Sequence, residues 1–160
     1  MSRDPGAQPR WRRRCVAGLL VILTGCSQLP PTSSVAIPPV PGGAARIWIY
    51  RNDGPYDPNQ TPYVRLNDQI AGVIQPNGAF YRDVPPGYYT VAVDSYGAPY
   101  PHQFAEFNLG AGQEAFVKVL SMREKVGSEG VALRTLFFTQ LVPPDFARPM
   151  IAGTPFYGSS

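Results

Sequence analysis

His102 is the single histidine of the chain, so any general-base chemistry of the usual kind has to start there. A Ser-His-Asp device needs a hydroxyl nucleophile, an imidazole to take its proton and a carboxylate to orient the ring. Asp94 with Ser95 or Ser121 supplies those residue types. Neither a nucleophile elbow nor a glycine-rich oxyanion loop accompanies them, so a hydrolase is weakly supported and His102 is expected on an exposed loop. One histidine and two cysteines are too few for a zinc site. The stretch Asn52-Asp53-Gly54-Pro55-Tyr56-Asp57-Pro58-Asn59-Gln60 is oxygen-rich, and Asp53, Asp57 and Asn59 could coordinate calcium. Their spacing is not that of an EF-hand loop, and the same residues are what a long turn needs. The expectation is therefore no catalytic residue, no cofactor and no metal. Trp48, Tyr56, Tyr96 and Tyr100 are candidate contacts for a sugar or peptide, since aromatic rings at loops offer an apolar face and a polar edge. The same rings at strand ends equally well close a sandwich.

Thiol chemistry points elsewhere. Arg12, Arg13 and Arg14 precede an apolar stretch, residues 15–24, too short for an ordinary transmembrane helix, which is the layout of an export signal. It ends Leu23-Thr24-Gly25-Cys26, which resembles the lipobox of bacterial lipoproteins: an aliphatic residue, two small residues, then the cysteine that takes the lipid. The resemblance implies a diacylglycerol on the Cys26 thiol, cleavage between Gly25 and Cys26, and acylation of the new amino group. Cys15 would leave with residues 1–25, so Cys26 would have no partner for a disulfide, and an unmodified thiol would be an odd leftover in an oxidising compartment. Several acyl chains would hold the chain on a membrane nearly permanently. Ser27 stands where an aspartate would resemble an inner-membrane retention signal, so the implied address is the outer membrane, facing the periplasm.

Charge agrees with removal of the leader. The 160 residues carry 14 basic and 11 acidic side chains, yet the first 25 hold five of the arginines and one acid, leaving 9 basic and 10 acidic groups. A near-neutral remainder disfavours a nucleic-acid partner. The chain after residue 25 is long enough for one small domain.

The elements that would position these groups read as β structure. Residues 26–45 are rich in Pro, Ser and Gly and carry no charge, which predicts a semi-extended tether holding the domain a few nanometres off the bilayer; docking of Val35, Ile37 and Val40 as an irregular edge is the other reading. From Arg46, short β-type runs alternate with turn residues, predicting seven or eight strands across residues 46–142. Residues 46–51 are apolar on both faces, as a central strand would be. Asn67-Asp68-Gln69, Pro76-Asn77-Gly78 and Pro85-Pro86-Gly87 mark turns. Residues 116–126 partly fit a helical period, but a strand through Met122 and then a loop is preferred. Four prolines among residues 143–155 predict a loosely ordered tail over 143–160.

Val64-Arg65-Leu66-Asn67-Asp68-Gln69-Ile70-Ala71-Gly72-Val73-Ile74, then Gly78-Ala79-Phe80-Tyr81, then Val84-Pro85-Pro86-Gly87-Tyr88-Tyr89-Thr90-Val91, resembles a domain of unknown function widespread in small bacterial lipoproteins. The layout is similar to PEGA and carboxypeptidase-regulatory-like modules. The resemblance implies a small antiparallel prealbumin-like β-sandwich and assigns no functional residues, because its motifs specify turns. Together these readings describe a non-enzymatic, membrane-tethered β-sandwich docking on an envelope protein assembly, with a carbohydrate- or peptidoglycan-binding module as the alternative. An exposed edge strand pairing with a partner is one route to docking.

Overall fold

The computed structural model describes residues 29–52, 59–95, 103–127 and 132–159. The strands are β1 (Ala45–Arg51), β2 (Tyr63–Leu66), β3 (Gln69–Val73), β4 (Gly78–Val84), β5 (Gly87–Val93), β6 (Ala105–Leu109), β7 (Glu114–Val126), β8 (Ala132–Leu141) and β9 (Phe156–Ser159), with one helix, α1 (Pro144–Ala152). They form two packed sheets, ordered β8-β7-β1-β4-β9 and β3-β2-β5-β6. The molecule is thus an all-β sandwich. Its ladders are antiparallel except that β1 pairs in parallel with β7 and β4 with β9.

Local chemistry explains the tight connections. β2 and β3 are joined by two residues, Asn67 and Asp68, both at positive φ, as a hairpin turn that matches the strand twist requires. The Asn67 side chain then clips the hairpin to β5, donating to Tyr88 O and accepting from Thr90 N. At Pro85-Pro86-Gly87 the Tyr89 hydroxyl donates to Pro85 O at 2.6 Å, closing the turn from β4 into β5. Alternation does the rest. Val64 and Leu66 point inward while Tyr63 stays exposed, and Tyr89 and Val91 point inward while Tyr88 stays exposed. Between the sheets lie Ile47, Ile49, Val64, Phe80, Val91, Val117, Val119 and Phe137. Each such side chain contributes roughly 1.5–3 kcal/mol of burial.

β1 is central, as its two apolar faces imply, but what covers its second face differs from expectation. Residues 143–160, expected to be loosely held, include α1 and the edge strand β9. Pro143 and Pro144 start the helix, where a missing N–H costs nothing, and Ala147 and Ile151, four apart, give it one buried stripe. That stripe packs on Trp48, Tyr50, Tyr81 and Phe116, the outward side of the five-stranded sheet. Proline count misled here because a short helix with proline at its start tolerates it.

The expected tether is corrected likewise. From Leu29 the chain lies on the domain: Pro31 bridges Pro155, Thr32 N donates to Thr154 O at 2.8 Å, and Phe156 N donates to Pro30 O at 3.1 Å. Thr32 is buried and Ile37 packs against the Trp48 cluster. The physical reason is that β1 presents an aromatic outer face, and 29–44 is one of the segments able to cover it. β7 also runs past Met122 to Val126, paired throughout with β8, so the loop expected after Met122 is strand. Among the described residues no helix is long and apolar enough to cross a membrane.

Candidate functional site

The outer side of the five-stranded sheet holds a buried, fully paired arginine and a shared carboxylate. Arg46, on the outward face of β1, is 2% exposed. Its Nε and Nη2 meet both carboxylate oxygens of Asp83 at 2.7 and 2.9 Å, its Nη1 donates to Pro38 O at 2.7 Å, and its guanidinium lies 3.9 Å from the Tyr81 ring centroid. The hydrogen bond to Asp83 lifts the Arg46 pKa above its usual value, against the lowering effect of burial. This fork ties three segments together: β1, β4 and the chain before β1.

One strand over, Glu114 at the start of β7 accepts from Trp48 Nε1 at 3.0 Å with one oxygen and from Arg148 Nη2 of α1 at 2.5 Å with the other. The Arg148 guanidinium lies 5.0 Å from the Phe116 ring centroid. Open grooves flank this pair. One, of about 420 Å³, runs between α1 and residues 32–40 over Arg46 and Trp48. The other, of about 590 Å³, lies between the end of β6, the start of β7 and Pro143 and Pro144. Both Glu114 oxygens are engaged, and neither groove is lined by a histidine or a cysteine. Thr32 and Ser33 supply the hydroxyls of the smaller groove, and that of Thr32 is bonded to Thr154 O. The arrangement can bind and orient, and the carboxylate that lines both grooves, Glu114, is engaged by indole and guanidinium.

Of the residues singled out in the sequence, Trp48, Asp94, Ser95 and Ser121 are among those described. Trp48 is 6% exposed, tilted against Tyr81 at 5.0 Å and Phe156 at 6.3 Å, so most of its ring is core and only an edge meets the groove. Cys26, Gly25, Tyr56, Tyr96, Tyr100, His102, Asp53 and Asp57 lie outside the described residues. Two members of the conceivable hydrolytic device are otherwise occupied. Both Asp94 oxygens take the Arg65 guanidinium, at 2.7 and 3.1 Å, and Ser95 Oγ accepts from Phe137 N at 2.9 Å. Ser121 sits within β7. Among the described residues no group of three or more His, Cys, Asp or Glu side chains comes together to hold a metal.

Sequence reasoning missed three features. On the outward face of the β7–β8 hairpin, Leu120 lies opposite Phe138 and Met122 opposite Leu136, and Leu120 and Met122 are 39% and 49% exposed. The signal was present: Phe116, Leu120 and Met122 on one face alternate with Val117 and Val119 on the other, interrupted only by Lys118 and Ser121. The second is that the free side of β8 is closed by its own domain, because Phe137 N and Thr139 N donate to Ser95 Oγ and Gln103 O. Thr139 Oγ1 adds a bond to Val91 O at 2.7 Å. A partner strand cannot add there without displacing these groups. The third is Arg82, whose Nε donates to Ala71 O at 2.6 Å and whose Nη1 donates to Tyr81 O at 2.9 Å. Burial lowers its pKa, and no carboxylate among the described residues pairs with it. It opens on a recess of about 290 Å³ beside Gly72, Gln75 and Tyr157. No protein-family model matches the chain, and no curated protein matches it, so these residues themselves carry the functional reading.

Proposed function

We propose that this chain is a lipid-anchored, non-enzymatic β-sandwich of the bacterial cell envelope that works as an interaction module, docking on a protein of an envelope assembly. The observation that carries it is the run Arg12-Arg13-Arg14, an apolar stretch and Leu23-Thr24-Gly25-Cys26, with the first described residue of the folded domain, Leu29, only three positions beyond. Acylation of Cys26 would place the domain at a membrane surface, on the periplasmic side of the outer membrane in a Gram-negative host. The docking role draws support from the exposed Leu120 and Met122 of the β7–β8 hairpin, which lie opposite the half-buried Phe138 and the buried Leu136. Apolar side chains gathered on a projecting hairpin favour a protein partner over a small polar ligand.

The test has two arms. Cys26→Ala should abolish incorporation of a fatty-acid analogue and leave the precursor unprocessed; a mature, labelled product from that variant would refute the anchor. A photo-crosslinking residue at Met122 in intact cells should capture one dominant envelope protein, and capture that is unchanged by Leu120→Asp would remove the hairpin from the interface. A glycan-binding reading draws on the exposed Tyr63 and Tyr88 of the four-stranded sheet. Retention of the purified domain by sacculi, lost in Tyr63→Ala and Tyr88→Ala, would favour it over the protein-docking reading.

A further inference from the structure

The docking of residues 29–32 fixes how far the domain can stand from its anchor. If Cys26 is acylated, only three residue steps separate it from Leu29, an extended reach of about 10 Å. Beyond Leu29 there is no slack. Pro30 and Thr32 are hydrogen-bonded to Phe156 and Thr154, and the Pro31–Pro155 bridge sets Leu29 in register with Tyr157. The Thr32 hydroxyl, buried, adds a bond to Thr154 O at 2.9 Å. The acyl chains therefore hold the β9 edge of the sandwich and not a distant point on a tether.

That edge has the composition of a headgroup-contacting surface. Leu29 and Tyr157 are each 44% exposed, an aliphatic and an aromatic side chain side by side. Next to them, on the neighbouring strand β4, Arg82 opens on the recess lined by Tyr157 and Gly158. Its Nε and Nη1 are committed to backbone carbonyls. A guanidinium held by neutral carbonyls, with burial disfavouring its charge, is improved by an anion, and its planar fork suits a phosphate oxygen. Amphipathic rings and arginines are the side chains that settle at the interface between hydrocarbon and water.

We propose that the mature domain seats directly on the bilayer through its β9 edge, with Leu29 and Tyr157 at the headgroup layer and Arg82 facing lipid phosphate. This rests on the lipidation of Cys26 proposed above. It replaces a domain on a long leash by one of fixed orientation, in which the β7–β8 hairpin stands at the opposite edge of the same sheet, four strand spacings away.

The experiment uses the full chain, matured and acylated in cells, purified in detergent and returned to vesicles of phosphatidylethanolamine and phosphatidylglycerol with brominated acyl chains. With Cys26 alkylated by lipid, the mature chain has no other cysteine, so Leu29→Cys and Gln140→Cys each take one fluorophore. Pro30→Cys replaces Leu29→Cys should the latter fail to fold, with Trp48 emission as the check. The label at 29 should lose most of its fluorescence to the brominated chains and the label at 140 little. Adding a Gly-Ser linker between Gln28 and residue 29 should leave this difference, because the edge itself holds to lipid, while Arg82→Gln with that linker should abolish it. Acylated protein with equally weak quenching at both positions would overturn the proposal and leave the anchor standing. A wild-type chain without acyl mass would overturn both. A label at 29 shielded from a water-soluble quencher yet unaffected by bromolipid would assign the edge to a protein and overturn the proposal.

Discussion

The two faces of β1 are packed by different means. Toward the four-stranded sheet, Ile47 and Ile49 meet aliphatic and aromatic side chains from strands on both sheets, with the cross-sheet Thr139 bonds at the margin. Toward the outside, Arg46, Trp48 and Tyr50 meet residues 29–44, α1 and β9, and the contacts are rings, a forked ion pair and a carboxylate shared by indole and guanidinium. The inner layer is held mainly by apolar area. The outer layer depends on a few directional bonds to segments from the two ends of the described chain. The inner layer should therefore set global stability, whereas the outer layer should open first. Trp48 is the only tryptophan after the leader, so its emission reports on the outer layer while far-ultraviolet dichroism reports on the sandwich.

The comparison breaks most sharply at Phe137, which is buried between the sheets and lies 5.0 Å beneath the Arg51 guanidinium. Phe137→Ala should cost about 3–5 kcal/mol, with dichroism and Trp48 emission lost together in one urea transition. If the emission change came well before the loss of dichroism, the inner layer would not be what Phe137 serves.

Asp83→Ala attacks the outer layer instead. It leaves the Arg46 guanidinium buried without its carboxylate; because Asp83 retains some exposure, the expected cost is about 2–3 kcal/mol, below that of a fully buried pair. Here Trp48 emission should shift red at lower urea than the dichroism transition. Coincident transitions would mean that the two faces of β1 form one cooperative unit. Thr32→Val is the milder version, removing a single buried hydroxyl bond to Thr154 O, about 1 kcal/mol. Its effect should appear as faster amide exchange at Thr32 and Phe156, with β2 and β5 unchanged.

Legibility in the sequence divides along the same line. Asn67-Asp68 and Pro85-Pro86-Gly87 announced their turns, and the alternation of Val64 with Leu66 and of Tyr89 with Val91 announced the inner face, because those signals are local. The outer layer was not legible. Nothing within residues 29–44 or 143–160 says that they meet over Trp48, and their prolines, which end regular hydrogen bonding, read as looseness when the segments are taken alone. Trp48 was picked out as a ring that could meet a ligand; its indole N–H instead satisfies Glu114, 66 residues away. Arg82 was invisible for a related reason: its lack of a carboxylate among the described residues is a fact of geometry, not of composition.

The smallest effect at neutral pH is expected at Tyr50, and it sharpens the account of the outer layer most finely. Tyr50 is fully buried, and its hydroxyl has no hydrogen-bond partner among the described residues. Burial pushes its pKa up to about 12. The folded state therefore holds the phenol proton more tightly than the unfolded chain does. Stability from this source is complete below about pH 10 and is lost as the unfolded chain deprotonates between about pH 10 and 12, a fall of order 2–3 kcal/mol. Tyr50→Phe removes both the unsatisfied hydroxyl and the titration. At neutral pH the variant should match wild type or exceed it by up to about 1 kcal/mol, since a buried hydroxyl without a partner gives little back for its desolvation. As the pH rises from about 10 toward about 12, the gap should widen in favour of phenylalanine. Urea titrations of both proteins at neutral and alkaline pH decide it. A variant that is destabilised at neutral pH would mean that the hydroxyl holds a bond within the outer layer, and that this layer is satisfied more completely than its ion pair and indole contacts alone provide.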